Sequence, residues 1–388
     1  MKPLLKILAS LEVTIGAFVL AMVLILFGTI DQANLGIHGA TEKYFYTVFV
    51  TQYIPSLDIS VPYMPGGYLI GFVLLINMTA AIVYRFKFTT DKIGIWLVHV
   101  GFILLLLGEF ISSVFQHEAS LTIDEGQTVD FTESFRDSEL AIVDTTDPDK
   151  DRVYAIPQVM LERKQQISVD GLPFNISVDD FMPNSVMQRR NESTPDFARL
   201  ANRGIGLQAY ALPIAETGKM NDRNVPAVIV TLFSKESNGQ SSEVLGTWLV
   251  REFIPNQSVS YGGREYTILM RREREMLDYA ITLKDFSHDR YLGTNIPKNF
   301  SSDVTVLDKD TGLEQDFLIY MNNPLRYDDL TFYQQGFMND DKTSILQVVR
   351  NPGRSLPYIS CSLMTLGLAL QFGISLQRFS KRRKKAAA

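Results

Sequence analysis

The sequence predicts a membrane α-helical protein with four transmembrane helices plus a large all-β extracytoplasmic domain, antiparallel and sandwich- or barrel-like. Three observations predict it. Four stretches, Val13–Ile30, Tyr68–Tyr84, Ile93–Gly108 and Leu356–Leu376, are nearly free of charge. Each has roughly the ~17–25 residues a helix needs to cross the hydrocarbon core while satisfying its own backbone. Second, the chain between the third and fourth runs carries short apolar or alternating segments bounded by turn residues, which is the pattern of strands. Third, the basic residues of the short flanks fall on one side if the helices alternate: Lys2 and Lys6; then Arg85, Lys87 and Lys92; then Arg378, Lys381, Arg382, Arg383, Lys384 and Lys385. That bias places both termini in the cytoplasm and the large domain on the outer face.

The expected organisation follows. Residues 1–115 hold three helices with an outer interfacial loop at 31–67. Residues 116–352 form the extracytoplasmic β domain. Residues 353–388 hold the fourth helix and a basic tail. The first run is longer than a signal-peptide core and no A-x-A site ends it, so it reads as a retained anchor. The first helix is expected to end near Gly28-Thr29. In the loop after it, Tyr44, Phe45, Tyr46, Val48, Phe49, Val50, Tyr53 and Ile54 suggest a short amphipathic helix at the outer interface, where tyrosine is at home. It serves as a packed cap on the bundle, or as a lid or partner surface. Pro65-Gly66-Gly67 opens the second helix, and the short turn Arg85–Lys92 makes a helical hairpin with the third, Ile93–Phe115. On that helix Gly94, Gly101 and Gly108 recur every seven residues, a stripe along which another helix can come close.

In the outer domain the clearest strand signals are Ser120–Asp124, Leu140–Val143, Phe174–Asp179, Ala227–Phe233, Val244–Arg251, Tyr266–Arg271, Tyr279–Leu283, Asp303–Leu307, Phe317–Tyr320, Thr331–Gln334 and Ile345–Val349. Tyr261-Gly262-Gly263-Arg264 reads as a tight hairpin, and Asp308–Gly312 as another. Ser185–Ala201 reads as an irregular insertion. The domain is large for one sandwich, so two packed sheets with excursions or two β lobes both fit. Asn351-Pro352-Gly353 is the hinge into the last helix.

Composition removes several classes of function. A single cysteine, Cys361, allows neither an intrachain disulfide nor a C-x-x-C centre. The net charge of −6 joins an acidic outer domain to basic inner flanks. No basic tract suggests nucleic acid. No H-E-x-x-H, clustered metal ligands or phosphate loop is present, and no carboxylate pair sits in an apolar setting. A solute transporter fits poorly, because the spans show no repeat and, apart from His99 and Glu109, hold only neutral polar groups such as Asn77 and Gln371.

Of the four histidines, His38, His99, His117 and His288, His99 lies inside a span. An ionisable group there is costly, and such residues tend to face the bundle interior and mark ligands or pathways. Trp96, Phe102 and Ile103 fall near the same helix face. A neutral imidazole among flat apolar side chains suits the iron of a porphyrin. The plainer alternative is a histidine that hydrogen-bonds a neighbouring helix. His117 follows by eighteen residues, so on one continuous helix it would point the same way about 27 Å off, a second site at most. His288 reads as a surface residue at a strand end, and Glu109 as reaching the interface.

Several segments carry a family resemblance. The opening LLKILASLEVTIGAFVLAMVLILFGTI, the stretch Trp96-Leu97-Val98-His99-Val100-Gly101 before a leucine run, and Gly293–Val304 with Pro297, Phe300 and Ser302 all resemble the ResB-type cytochrome c biogenesis proteins. So does Asn323-Pro324-Leu325-Arg326-Tyr327 with Phe332-Tyr333-Gln334, the most specific motif. Asp329 departs from the pattern, since a glycine is expected in that turn. The resemblance covers nearly the whole chain. It implies a bacterial inner-membrane subunit of the system II haem-delivery complex, with its domain on the periplasmic face. Such a subunit carries or stabilises haem for attachment to apocytochrome c, and it is an assembly factor, not catalytic alone. The implied cofactor is haem b, shared with a partner of the ResC/CcsA type. The partner's tryptophan-rich segment is absent here, as is a C-x-x-C-H. His99 would be the haem ligand, Trp96, Phe102 and Ile103 its slot, and His117 a lesser candidate. The alternative is a membrane-tethered β scaffold that binds a protein and holds no cofactor.

Overall fold

The computed structural model describes residues 2–85, 88–147, 150–191, 194–195, 199–218, 223–235, 242–293, 297–338 and 342–386. Lys87, Thr294, Asn295 and Ile296, part of the Ser185–Ala201 stretch, and the side chains of Lys2, Pro297 and Lys385 lie outside the described residues. The chain divides into two compact units. One holds the chain up to His117, a short stretch at Gly218 and everything from Arg350 on; the other holds the rest.

In the first unit, helices α1 (Lys2–Leu8) and α2 (Leu11–Ala40) are separated by a short break. Ser10 caps α2, its Oγ accepting from Val13 N at 3.3 Å. Asn77 of α3 (Gly67–Arg85) clamps the break. Its Nδ2 donates to Leu8 O (2.6 Å) and Ser10 O (3.0 Å), and its Oδ1 accepts from the Thr14 hydroxyl (2.7 Å). The side chain is buried, so these bonds satisfy both the amide and carbonyls that a helix end leaves open.

The apolar run of α2 ends where expected, but the helix does not. Asp31, Gln32 and Asn34 carry it onward until Gly36 breaks it with φ 73°. The chain then returns through a π-turn, Thr41–Phe45, which sets Phe45 against Gly28, where an added Cβ would lie 3.2 Å from the ring. Asp31 fastens the return, accepting from Lys43 Nζ (2.7 Å) and Tyr44 OH (2.8 Å). The expected amphipathic helix is a β-hairpin instead, β1 (Phe49–Ile54) with β2 (Ile59–Pro65). Its β-branched and aromatic residues favour pleated backbone, and Pro55 stops any helical continuation. At the hairpin base, a Cβ on Gly66 would lie 2.2 Å from Thr47 O and one on Gly67 2.4 Å from Phe45 O. Glycine is therefore required for the close approach.

Helix α4 (Ile93–Phe115) uses its glycine stripe as the sequence predicts. Added Cβ atoms would lie 2.4 Å from Gly367 O at Gly94, 2.7 Å from Met364 at Gly101 and 2.8 Å from Leu356 at Gly108. All three neighbours belong to the last helix, α6 (Leu356–Ala386). Four helices of the described residues are long and apolar enough to cross a membrane.

The second unit is built from antiparallel strands around two large hydrophobic cores and a smaller one that includes Met182, Ala211, Ile229 and Leu249. The larger sheet contains β3 (His117–Asp124), β4 (Thr128–Asp144), β5 (Arg152–Pro157), β12 (Gln257–Tyr261), β13 (Arg264–Arg290), β14 (Pro297–Asp308), β15 (Glu314–Tyr320), β16 (Leu325–Tyr327), β17 (Leu330–Met338) and β18 (Thr343–Arg350). Its main path runs β15-β14-β13-β4-β3-β18-β17-β16. A second sheet orders β11 (Val244–Arg251), β10 (Ala227–Ser234), β7 (Phe174–Met182) and β6 (Gln166–Ile167); the short α5 (Gln158–Glu162) precedes it. Within Ser185–Ala201 the structure places a strand, β8 (Ser185–Arg189), paired with β9 (Ala209–Pro213), where no regular element was expected. The Gly262-Gly263 loop is a two-residue hairpin with both residues left-handed, φ 62° and 77°, as predicted.

Strands β4 and β13 pass through both large cores. Leu140, Ile142, Tyr266 and Ile268 belong to one; Val129, Tyr279, Ile281 and Leu283 belong to the other. The two strands read at Tyr266–Arg271 and Tyr279–Leu283 are one, bridged by the charged run Arg271–Glu275. The waist between the cores neutralises that charge. Arg271 Nε donates to Glu139 (2.7 Å), Arg274 pairs with Glu133 (2.9 Å), and Glu252 accepts from Ser138 Oγ and Arg223, each at 2.6 Å. Burial pulls the Arg223 pKa below its ordinary value while the Glu252 charge opposes the shift.

Candidate functional site

His99 sits on an unbroken helix that ends at Phe115. At 100° per residue, Trp96, Phe102 and Ile103 all lie within about 60° of its meridian, so the helix brings these four side chains to one face. All four are half-buried. The α6-facing glycines are about 160° away, on the far side. One and two heptads on from His99, Leu106 packs with the core shared by α2 and α3, and Ser113 Oγ accepts from Tyr68 OH at 3.3 Å.

The imidazole is oriented by its own helix, with His99 Nδ1 2.8 Å from Ile95 O. A carbonyl can only accept, so Nδ1 carries the hydrogen, and in the uncharged ring the lone pair lies on Nε2. This is the arrangement by which proteins set histidine as a metal ligand through the nitrogen remote from the backbone bond. Trp96 stands edge-on to Phe88, ring centres 5.5 Å apart, and its Nε1 has no hydrogen-bond partner among the described residues.

His117 does not share this face. Gln116 ends the helix in extended conformation (ψ 129°), and His117 opens β3, exposed. The five-turn alignment with His99 does not form. His288 is not a plain surface residue. It is half-buried, its ring centre 4.3 Å from Phe337 and 6.4 Å from Phe300. Strand pairing with β14 put it there, which the local sequence could not signal. Glu109 is exposed, next to Phe110, whose ring lies 5.9 Å from Tyr68.

The motif residues of the β domain gather where the ends of the large sheet curl toward each other. Ser302 of β14, fully buried, donates to Gln334 Oε1 of β17 (2.7 Å), and Gln334 Nε2 donates to Ser344 Oγ of β18 (3.1 Å). Ser344, 2.7 Å from Ser302, closes the ring. Tyr327 of β16 lies against Tyr279 (4.7 Å) and Phe317 of β15 (6.3 Å). Phe332 is fully buried, Phe300 packs on Phe337 at 5.6 Å, and Tyr333 faces out. Asn323 and Pro324 make the turn between β15 and β16, with Asn323 N donating to Tyr320 O at 2.9 Å and its side chain to Leu318 O at 3.3 Å. Asp329 needs no glycine, because the left-handed residue of that turn is Asp328, φ 53°. The motif thus closes a nearly complete barrel. It is a structural signature with no catalytic constellation in it, and no metal-holding group of side chains occurs among the described residues.

Four membrane-length apolar helices and an antiparallel domain closed by this seam define a membrane protein of a particular class. The ResB-like family matches residues 246–345, the segment that includes the seam. Protein NrfI of Wolinella succinogenes is 24% identical over 307 residues, 76% of this chain and 29% of that protein. Over these stretches the chain is similar to ResB-like proteins. It spans about 29% of the length of the curated relative it matches.

Proposed function

We propose that this chain is a membrane subunit of cytochrome c biogenesis that holds haem b at the His99 face, together with a ResC/CcsA-type membrane partner, for delivery to apocytochrome c. The observation that carries the reading is the His99 Nδ1–H bond to Ile95 O, which fixes the ring tautomer in which Nε2 would be the ligand nitrogen. The donor set fits a porphyrin: one oriented imidazole with Trp96, Phe102 and Ile103 as flat or apolar neighbours on the same face. Haem, when bound, would supply a redox-active iron, and His99 would be the residue of this chain that holds it. The basic flanks support this reading, in which both termini are cytoplasmic and the β domain lies on the periplasmic side of a bacterial inner membrane.

The test is the absorption spectrum of the complex purified with its partner. His99→Ala is expected to lose most of the haem band and holocytochrome yield, and added imidazole to restore the band. An unchanged spectrum removes His99 from haem binding. The competing reading is a cofactor-free scaffold in which His99 only packs, favoured by the placement of Leu106 and Ser113 on its stripe. It predicts a stability loss in His99→Ala with no spectral change and no imidazole rescue.

A further inference from the structure

The β1–β2 hairpin leaves an unusual amount of apolar surface uncovered: Leu57 is 64% exposed, Phe49 and Tyr63 50%, Ile59 47% and Val61 37%. A two-stranded hairpin is marginal by itself, and a patch of this kind marks an interaction surface. The register sorts the side chains by face. Val50 pairs with Met64, Gln52 with Val61 and Ile54 with Ile59, so these six share one face; Phe49, Pro65, Thr51, Pro62, Tyr53 and Ser60 share the other. The first face is apolar but for Gln52.

At its base this face is already in contact with the spans. Val50 is fully buried, in one core with Leu24, Ile70 and Leu74. The π-turn before the hairpin brings Phe45 back to Gly28, the end of the uncharged run of α2. The hairpin therefore leaves the helices at the depth where hydrocarbon gives way to headgroups. Between Lys43 and Arg85 the sequence has one charge, Asp58. It sits in the hairpin turn, left-handed at φ 52°, bonded by Tyr53 OH at 2.7 Å. Neutral apolar area and flanking tyrosines are the composition of an element that lies in the membrane interface.

We infer that the hairpin is an interfacial anchor whose Ile54, Ile59 and Val61 face, with Leu57 at the tip, is covered by the lipid of the leaflet at which α2 ends and α3 begins. The inference needs the helices to span a bilayer and is independent of haem at His99.

The test uses the full chain with Cys361→Ser, nitroxide-labelled after Ile59→Cys, Val61→Cys, Thr51→Cys or Ser60→Cys, in phosphatidylcholine–phosphatidylglycerol vesicles. Power saturation compares collisions with oxygen and with a water-soluble nickel chelate. The expected result alternates: positions 59 and 61 favour oxygen several-fold over positions 51 and 60, which favour nickel. Equal nickel access at all four puts the hairpin in water and overturns the inference. Shielding of 59 and 61 from both reagents shows a protein cover and overturns it too. Leu57→Cys, outside the strand pairing, gives the same contrast if a strand variant loses the hairpin.

Discussion

Single side chains at buried breaks carry measurable stability. Asn77 satisfies Leu8 O, Ser10 O and Thr14 at once from inside a span. Asn77→Leu strands those carbonyls away from water and is expected to cost about 1–3 kcal/mol, read from reversible unfolding of the whole chain in micelles. In the β domain, the Thr146 hydroxyl, with help from Arg264, holds the Asp144 carboxyl below the usual carboxylate range. A depressed folded-state pKa gives stability that is fully present above the ordinary carboxylate pKa and lost as pH falls through the depressed one. The melting temperature should therefore drop on acidification below about pH 4, and less steeply in Asp144→Asn. Identical pH profiles would dismiss Asp144 as a contributor.

At the scale of elements, the glycine stripe of α4 is the sharpest case. Gly101→Leu must displace Met364 or the α6 backbone, whereas Gly16 has nothing within 4 Å of an added Cβ. Overpacking of this kind costs typically about 1–3 kcal/mol, so Gly101→Leu should unfold more readily in micelles while Gly16→Leu stays close to the parent. Equal stability of the two would mean that α4 and α6 are not in close contact. This stripe was readable because a seven-residue repeat of glycine has few other uses in a span. The β1–β2 hairpin was not, because aromatic and β-branched residues beside an apolar helix suit an interfacial helix or a strand equally, and the return at Gly36 decides between them. Strand β13 was divided for a related reason: Arg271–Glu275 looks like a solvated break, and only its partners Glu139 and Glu133 keep it in the sheet.

Across the whole β unit, two cores share two strands, so their stabilities are coupled through the waist. Glu139 is buried against Arg271. Glu139→Ala leaves an uncompensated, largely buried cation and is expected to cost about 3–5 kcal/mol. Hydrogen exchange should then show the amides of Ile142 in one core and Ile281 in the other losing protection together. Loss confined to one core would mean that the lobes unfold separately.

The sequence by itself determined the four apolar helices, the antiparallel class of the domain, the packing stripe of α4 and the residues sharing a helix face with His99. These rest on local period and composition, which one segment carries alone. It also held the ResB-type motif, but not what the motif does. Only the tertiary structure decided that Ser302, Gln334 and Ser344 close the sheet, that His288 packs against Phe337, that His117 leaves the helix, and that one long strand serves two cores. Each of these depends on residues far apart in the chain meeting in space, and no periodicity within a segment records which partner it will meet.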